Sequence, residues 1–425
     1  MNALAQPKLV RAIGRWTLAA LVVNSIIGSG IFGLPDDIAK LLGPAAPFAY
    51  LIAAAGIGII MACFAEVGSQ FSEAGGPYLY ARETFGQFAG VQMGWFAWLV
   101  RLTSAAANAN VFVLYLGEFW NEATSPLPRA IILTAVFFAL ALVNVRGVRA
   151  GAQLSNVFTV AKLTPLAIFV LAGFWFVGGK ISVGASPAGI NNWMAALLAL
   201  IFAYGGFEAA LMPMGEVKNP RRDTPFALFV ALATCAVFYS LIHLVVMGAL
   251  ADPGASERPL ADAARIFLGN AGAGLIALGA MVSTYGYLSG QFVSAPRLTF
   301  AFAERRDFPA FFAAVHPKFR TPYISIAVYT ALALSLAIYG SFIWNAILSS
   351  VARLLTYGLV CAALMRLRVT RPQADAFRLP GGWLFALAGM AFCVVMVAQM
   401  TADHMKIILA VAVIALVNWF LARRH

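Results

Sequence analysis

Four ionisable side chains stand inside apolar stretches of this sequence, at Lys162, Glu208, Arg101 and Arg353. A charged group in hydrocarbon is costly unless it is paired, so such residues are functional candidates. Lys162 could exchange a proton, or it could stay charged and support two neighbouring helices. Glu208 could bind a basic substrate, relay protons or pair with an arginine. An internal ion pair is the default expectation for both arginines.

Two short glycine-rich breaks interrupt apolar runs, NSIIGSGIFG at 24–33 and FAYGGFE at 202–208. Non-helical backbone in hydrocarbon is tolerated only where a ligand, water or neighbouring protein supplies hydrogen-bond partners. Helix N-terminal ends offer N–H groups to a carboxylate, and C-terminal ends offer carbonyls to an ammonium group. A single break would be typical of close helix packing. The paired breaks instead predict a mid-membrane site for an α-amino acid.

Composition indicates an integral membrane protein. Of the 425 residues, 62% are hydrophobic and 11% are charged, whereas soluble domains are about half apolar and a quarter charged. Apolar runs of helix-spanning length recur throughout the chain, which predicts a helical bundle in the lipid bilayer. The net charge of +12 is interpreted as a signal that orients these helices, and no nucleic-acid partner is expected.

Twelve spans are predicted, joined by short connections, so residues 1–425 are expected to form a single transmembrane domain. The predicted spans are 16–42, 47–70, 88–117, 127–145, 154–178, 192–213, 225–250, 271–300, 322–339, 342–364, 383–400 and 405–422. With the N-terminus in the cytoplasm, nineteen of the 29 basic residues fall on the inner side, six outside and four within spans. This segregation predicts a multi-pass protein of the cell membrane with both termini cytoplasmic.

Five ordered motifs resemble those of a known family. They are IIGSGIF at 26–32, FAEVGSQFSEAGGPYLYARETFG at 64–86, FAYGGFEAALMPMGEVKNPRRDTPFAL at 202–228, SAPRLTFAFAERRDFP at 294–309 and FRTPYISI at 319–326. The family is the amino acid–polyamine–organocation (APC) superfamily of permeases, and the resemblance covers essentially the whole chain. It implies an all-α, LeuT-like fold in which the first and sixth helices are unwound. Two inverted five-helix repeats, about 16–178 and 192–364, would precede two peripheral helices within 383–422.

The resemblance also implies a substrate site and alternating access to it. Backbone N–H groups around Ser29, Gly30 and Ile31 would bind the carboxylate. Carbonyls around Ile26 in the first span and around residues 202–204 in the sixth would bind the amino group. Phe202 and Phe207 are candidates for an aromatic gate, and depth in the membrane suggests further side-chain contacts. The full set of predicted substrate contacts is Ile26, Ser29, Gly30, Ile31, Phe202, Ala203, Tyr204, Phe207, Asn108 and Tyr285.

Lys162 and Glu208 are the predicted coupling residues. Related transporters that work without sodium carry a lysine in the segment of Lys162, where its ammonium takes the place of a bound cation. A sodium ion there is not expected, because two cations repel strongly in a low dielectric. Proton coupling through Lys162 and purely structural support by it remain equal alternatives. Glu66 matches a family glutamate that is structural or part of a gate.

The leading interpretation is a secondary transporter of amino acids, working as a sodium-independent proton symporter, with neutral L-amino acids favoured. The alternative is an exchanger of amino acids, cationic amines or polyamines in which Lys162 is structural. A passive channel would need rings of like polar residues, and an intramembrane enzyme would need paired catalytic groups. Neither pattern is present, nor is a P-loop. No cofactor or metal is expected, and the oligomeric state stays open.

Overall fold

The computed structural model describes residues 11, 13–71, 75–147, 152–178, 184, 187–212, 216–371 and 376–422, without the side chains of 152–160 and 422. Within these ranges the chain forms sixteen α-helices and no β-strand. The helices are α1 (Arg15–Ile26), α2 (Gly30–Gly33), α3 (Pro35–Leu42), α4 (Ala46–Ser69), α5 (Gly76–Phe85), α6 (Gln87–Leu116), α7 (Pro126–Arg146), α8 (Ala152–Val177), α9 (Ile190–Tyr204), α10 (Phe207–Ala210), α11 (Pro220–Ala249), α12 (Pro259–Glu304), α13 (Tyr323–Tyr339), α14 (Phe342–Thr370), α15 (Gly382–Val397) and α16 (Ala402–Ala422).

Nine helical stretches among the described residues are long and apolar enough to cross a membrane, which needs about 20 residues. They are Arg15–Gly33, Pro35–Ser69, Gln87–Leu116, Pro126–Arg146, Ile190–Ala210, Pro220–Ala249, Pro259–Glu304, Phe342–Thr370 and Ala402–Leu421. Three shorter apolar helices, Ala161–Val177, Tyr323–Tyr339 and Gly382–Val397, lie on the other predicted spans. The chain is therefore a multi-pass helical membrane protein.

Some sequence predictions fall outside the described residues. They concern the basic residues Lys8, Arg149, Lys180, Arg423 and Arg424, the segments 72–74 and 213–215 of two motifs, and residue 213 as the end of the sixth predicted span.

Residues 251–270, which the predicted spans leave as a connection between two helices, contain the start of a helix. The stretch is a polar connection by composition, but α12 begins there at Pro259 and is longer than the predicted span 271–300. Leu260, Ala261 and Ala264 are buried along one side of this first part, so burial of an apolar face stabilises helix despite the intervening charges. Gly269 has φ of 66° and ψ of −165°, which marks a kink between the two parts of α12.

Helix α6 forms much of the scaffold around the breaks, since it packs against both α12 and α14. Its polar residues Arg101, Ser104 and Asn108 are all buried. Their spacing of three and then four residues places them on one face of the helix. That face holds polar groups in the interior of the protein, where each needs a hydrogen-bond partner.

Two buried carboxylates tie helix ends together outside the breaks. Asp307 accepts hydrogen bonds from the Tyr78 hydroxyl and from Gln87 Nε2 (3.0 Å). Glu66 accepts two bonds from Arg368, Nε to Oε1 (2.8 Å) and Nη2 to Oε2 (2.6 Å). Each carboxylate joins segments far apart in the chain, so each forms a clamp between them.

Candidate functional site

The first break separates α1 from α2. Helix α1 ends at Ile26, and the backbone leaves the helical path until Gly30. The first N–H groups of any helix have no partner within that helix. At the start of α2 the hydroxyl of Ser29 does not replace that partner, because its side chain makes no capping bond. The break therefore presents backbone donors and a buried hydroxyl.

The second break separates α9 from α10. Gly205 has extended backbone, and Gly206 has a left-handed φ of 107° that favours glycine. The Gly206 N–H donates to Glu208 Oε2 at 2.9 Å. A Cβ on Gly206 would collide with the carbonyl oxygen of Ser25. Glycine is thus required here by backbone conformation and by the close approach of the first break.

The two breaks touch each other. Helix α2 packs against α9, and α1 packs against α10. A Cβ on Gly30 would lie 2.8 Å from Ala203 Cα and 3.0 Å from Ala203 Cβ, whereas ordinary carbon contacts are near 3.5–4.0 Å. Gly30 and Ala203, both predicted as substrate contacts, therefore stand at the crossing point of the broken helices.

Lys162 caps the first broken helix. Its Nζ donates to the carbonyl oxygens of Asn24 (2.7 Å) and Ile27 (2.6 Å). These carbonyls belong to the C-terminal end of α1, where the helix supplies no partners. The lysine side chain is buried, and its amino group is held at the break by two backbone carbonyls.

Glu208 pairs with Arg353 across the second break. Arg353 Nε donates to Glu208 Oε1 at 3.0 Å, and the Tyr357 hydroxyl donates to Oε2 at 2.9 Å. The expected internal ion pair is therefore present for Arg353. Tyr357, which the sequence interpretation missed, follows Arg353 by four residues on one helix, and that spacing places both on the same face.

Arg101 differs from the expectation of an ion pair. Its guanidinium donates to Gln291 Oε1 (3.1 Å), to Ser294 Oγ (3.2 Å) and to the Met212 sulfur (3.5 Å). No carboxylate of the described residues lies within 4.0 Å of it. Neutral acceptors on α12 satisfy this arginine instead, because α12 packs against its face of α6.

Tyr239 contacts two of the predicted substrate-binding groups, and the sequence interpretation missed it. Its hydroxyl lies 3.2 Å from the carbonyl oxygens of both Ile26 and Ala203, two of the groups expected to bind an amino group. A further one, the Phe202 carbonyl, accepts the Gly205 N–H at 3.2 Å. A lone tyrosine in the apolar span α11 carries no sequence signal for this contact, which depends on how α11 packs against α1.

Two cavities separate the predicted contacts into groups. Lys162, Glu208 and Tyr285 line a large cavity of about 840 Å³ that extends to Tyr78 and Arg297. A small cavity of about 10 Å³, enough for one water, lies at the first break. Its lining includes the predicted contacts Ile26, Ser29, Gly30, Phe202 and Asn108. Arg353 lines both cavities.

The remaining predicted contacts line neither cavity. Ile31 and Ala203 are buried in the packing around the breaks. The Tyr204 hydroxyl donates to the carbonyl of Tyr50 at 2.9 Å. The ring of Phe207 packs against Phe64 and Tyr357, with centroids 5.1 and 5.2 Å apart.

Known proteins match the chain over nearly its full length. The sequence profile of the family described as "Amino acid permease" matches residues 13–420. The chain belongs to the amino acid permease family. The resemblance to the APC superfamily is thereby confirmed, and the permease is a membrane transporter rather than an enzyme.

The permease is similar to three transporters whose names specify different solutes. The serine/threonine exchanger SteT of Bacillus subtilis (strain 168) is 33% identical over 349 residues, covering 77% of this chain and 76% of the relative. The methylthioribose transporter of the same organism is 26% identical over 439 residues, covering 98% and 94%. The vacuolar cationic amino acid transporter 4 of Arabidopsis thaliana is 26% identical over 390 residues, covering 86% and 64%. The permease thus resembles transporters of several solute classes.

Proposed function

We propose that the permease is a secondary active transporter that moves amino acids across the cell membrane by alternating access. The observation that carries this proposal is the contact between two broken helices at one point. Gly30 lies against Ala203 and Gly206 lies against Ser25, so backbone groups of both breaks converge there. Such half-helix ends suit the two opposite charges of an α-amino acid.

The proposed architecture has twelve spans, with repeats of about 16–178 and 192–364, peripheral helices within 383–422 and cytoplasmic termini. Three shorter apolar helices on the remaining predicted spans support the count. The bias of basic residues toward one side supports the orientation. The large cavity reaches Tyr78 and Arg297, near the ends assigned to the cytoplasm, so this conformation is proposed to face inward.

In the proposed bound state, the N–H groups of Ser29, Gly30 and Ile31 hold the substrate carboxylate. Carbonyls of Ile26 and of residues 202–204 hold its amino group. A carbonyl oxygen has two lone pairs, so those of Ile26 and Ala203 can accept from the amino group and from the Tyr239 hydroxyl. Phe202 lines the small cavity, which supports a contact between its ring and the substrate.

Proton coupling is proposed to run through Lys162, with Glu208 as its partner in the cavity. The Lys162 ammonium occupies the C-terminal end of α1, which leaves no place there for sodium. Both residues line the large cavity, from which a proton can be exchanged. Neutral substrates are favoured because Glu208, the candidate partner for a basic side chain, is already paired with Arg353.

Exchange is a second candidate function. SteT, named as a serine/threonine exchanger, covers 77% of the chain at 33% identity. In this case Lys162 stays charged as a cap on α1. Movement of one substrate out of the cell then drives uptake of another, in place of a proton gradient. The two bonds of Lys162 to backbone carbonyls are compatible with this structural role.

Uptake into proteoliposomes distinguishes these functions. Purified permease is reconstituted and offered each of the twenty L-amino acids in labelled form, with and without a pH gradient and with and without internal substrate. Accumulation driven by the gradient alone indicates symport, and uptake only with internal substrate indicates exchange. A Gly206→Ala variant, whose added methyl meets Ser25 O, is the matched inactive control. Absence of uptake for all twenty in every condition would overturn the proposal.

A further inference from the structure

Three buried polar atoms around the small cavity have no hydrogen-bond partner among the described residues. They are Arg353 Nη1, Asn108 Oδ1 and Ser29 Oγ, and all three residues line that cavity. Their side chains are at least nine-tenths buried, with residue exposures of 3%, 2% and 1%. Buried polar atoms are almost always bonded, because an unmade bond costs the full desolvation of the group. Three of them in one cavity indicate a place for a small polar group.

The donor and the acceptor are held in fixed orientations. Arg353 is anchored at Nε by Glu208 Oε1 (3.0 Å) and at Nη2 by Ser104 Oγ (3.3 Å). Asn108 is anchored by its Nδ2, which donates to the Ser104 carbonyl at 2.8 Å. The hydroxyl of Ser104 is itself bonded to Ser349 at 2.8 Å. Neither side chain can rotate to satisfy its free atom without breaking a bond, so the site is preorganised.

The two free atoms stand beside the two breaks. A Cβ on Gly205 would lie 2.5 Å from Arg353 Nη1, and a Cβ on Gly28 would lie 3.9 Å from Asn108 Oδ1. The donor is therefore at the end of α9, and the acceptor is at the end of α1. A substrate bound between the breaks would meet both.

Charge and size restrict the ligand group. Glu208 already pairs with Arg353, so a second carboxylate would compete with Glu208 for the guanidinium. It would also be repelled by the Asn108 amide oxygen, which has no hydrogen to donate. An ammonium group would be repelled by the positive charge of Arg353. A hydrocarbon group would leave both free atoms unbonded. The small cavity has room for about one water, so the group must be small, neutral, and able to accept and donate at once.

We propose that Arg353 Nη1 and Asn108 Oδ1 recognise a hydroxyl or carboxamide on the side chain of a neutral amino acid. The oxygen of that group accepts from Arg353, and its O–H or N–H donates to Asn108, with the Ser29 hydroxyl beside them. This assignment rests on the proposed function, because it places an amino acid between the two breaks. Arg353 and Asn108 are then the specificity-determining residues of the permease.

Isosteric substrate pairs test the assignment in the unaltered protein. L-threonine and L-valine have nearly the same shape and differ in one hydroxyl. L-asparagine and L-leucine have the same number of heavy atoms in the same branching, with a planar carboxamide in place of an isopropyl group. A hydrogen bond to a charged donor contributes enough to change affinity roughly 10- to 150-fold. In proteoliposomes, uptake efficiency for the polar member should exceed that of its apolar isostere at least tenfold in at least one pair.

Removing both charges together identifies the donor. The Arg353→Met, Glu208→Gln double variant removes both members of the ion pair, so neither is left buried without its partner. Because Glu208 is a proposed coupling residue, the ratios of this variant are measured as binding affinities by thermal shift, and the threonine-to-valine and asparagine-to-leucine ratios should fall close to one. Arg297→Met is the matched control, because Arg297 lines only the large cavity and donates to the Val293 carbonyl of its own helix. It should keep the wild-type ratios. If the double variant is not recovered folded, Asn108→Ala, which removes only the neutral acceptor, should lower the ratios instead.

The possible failures are distinguishable. If none of the twenty amino acids is taken up, the proposed function itself fails. If amino acids are transported but valine and leucine match their polar isosteres, only the side-chain assignment is overturned. A preference for aspartate over asparagine would identify an anion site and overturn the neutral ligand. Equal weakening of both members of a pair in the double variant would assign Arg353 to the α-carboxylate and also overturn it.

Discussion

Replacing Gly30 by alanine should force apart the two broken helices at their crossing point. The new Cβ would lie 2.8 Å from Ala203 Cα and 3.0 Å from Ala203 Cβ, so the closer pair would be at least about 0.7 Å inside ordinary contact. Neither atom belongs to a flexible side chain, so no rotamer change relieves the overlap. Helix α2 must move away from α9, and the geometry of the proposed site changes with it.

The expected magnitude follows from the cost of overpacking, about 1–3 kcal/mol for an added methyl in a packed interior. That cost lowers the population of the conformation in which the breaks touch by roughly 5- to 150-fold. The purified variant should lose a few degrees of melting temperature in detergent. Its initial uptake rate in proteoliposomes should fall at least fivefold.

Gly28→Ala is the matched control for stability. It adds the same methyl in the same break, but the nearest atoms, Asn108 Oδ1 and Ile26 O, lie 3.9 Å away. This variant should keep the wild-type melting temperature. A Gly30→Ala protein with wild-type stability and uptake, or equal destabilisation by both substitutions, would refute the reasoning.

Other substitutions test the remaining contacts. Lys162→Ala removes the donor to the α1 carbonyls, so gradient-driven accumulation should vanish while thermal-shift binding of the transported amino acid stays measurable. Glu66→Gln weakens the clamp to Arg368 and should cost about 1–3 kcal/mol, measured as a lower melting temperature. Burial and the hydrogen bond to Asp307 raise the pKa of Tyr78. The bond therefore stabilises the fold below about pH 10 and is lost as rising pH ionises the phenol, so the melting-temperature difference between wild type and Tyr78→Phe should shrink in strong alkali.

Each of these expectations has a contrary result. Unchanged accumulation in Lys162→Ala would remove the lysine from the coupling mechanism. Arg371→Gln is the control for the clamp, because its 4.0 Å pair with Glu83 is exposed and should contribute little. Equal melting temperatures for that control and Glu66→Gln would mean that the clamp does not stabilise the fold. A pH-independent difference for Tyr78→Phe would contradict its role as a donor.

Much of the local structure follows from local sequence. The boundaries of α6 and α7 lie within one residue of the predicted spans 88–117 and 127–145, because hydropathy and flanking turn residues set helix ends in a membrane. The position of Gly206 between α9 and α10 likewise follows from the glycine pair in FAYGGFE. The start of α12 did not follow, because Arg265 and Asp262 obscure an apolar face that is visible only once its neighbours are present.

Side-chain pairing was harder to predict. Two arginines in apolar spans, Arg101 and Arg353, carry the same sequence signal, but only Arg353 pairs with Glu208. Tyr285 lies at a depth along its span that suits a substrate contact, and it lines the large cavity. It is nevertheless 39% exposed and packs near Phe112 rather than at the breaks. Depth along a span is a property of sequence, whereas the direction a residue faces depends on which helix packs beside it.

The sequence by itself determined the membrane class, the bounds of helices such as α6 and α7, the family and the location of both breaks. These properties depend on composition and on patterns a few residues long. Only the tertiary structure decided that Lys162 caps α1, that Tyr239 bridges both breaks, and that Arg353 and Asn108 keep free hydrogen-bonding atoms. Lys162 and Ile27 are 135 residues apart, and Glu208 and Arg353 are 145 apart. Such contacts form only when helix packing brings distant segments together, and burial then makes every unpaired polar atom costly.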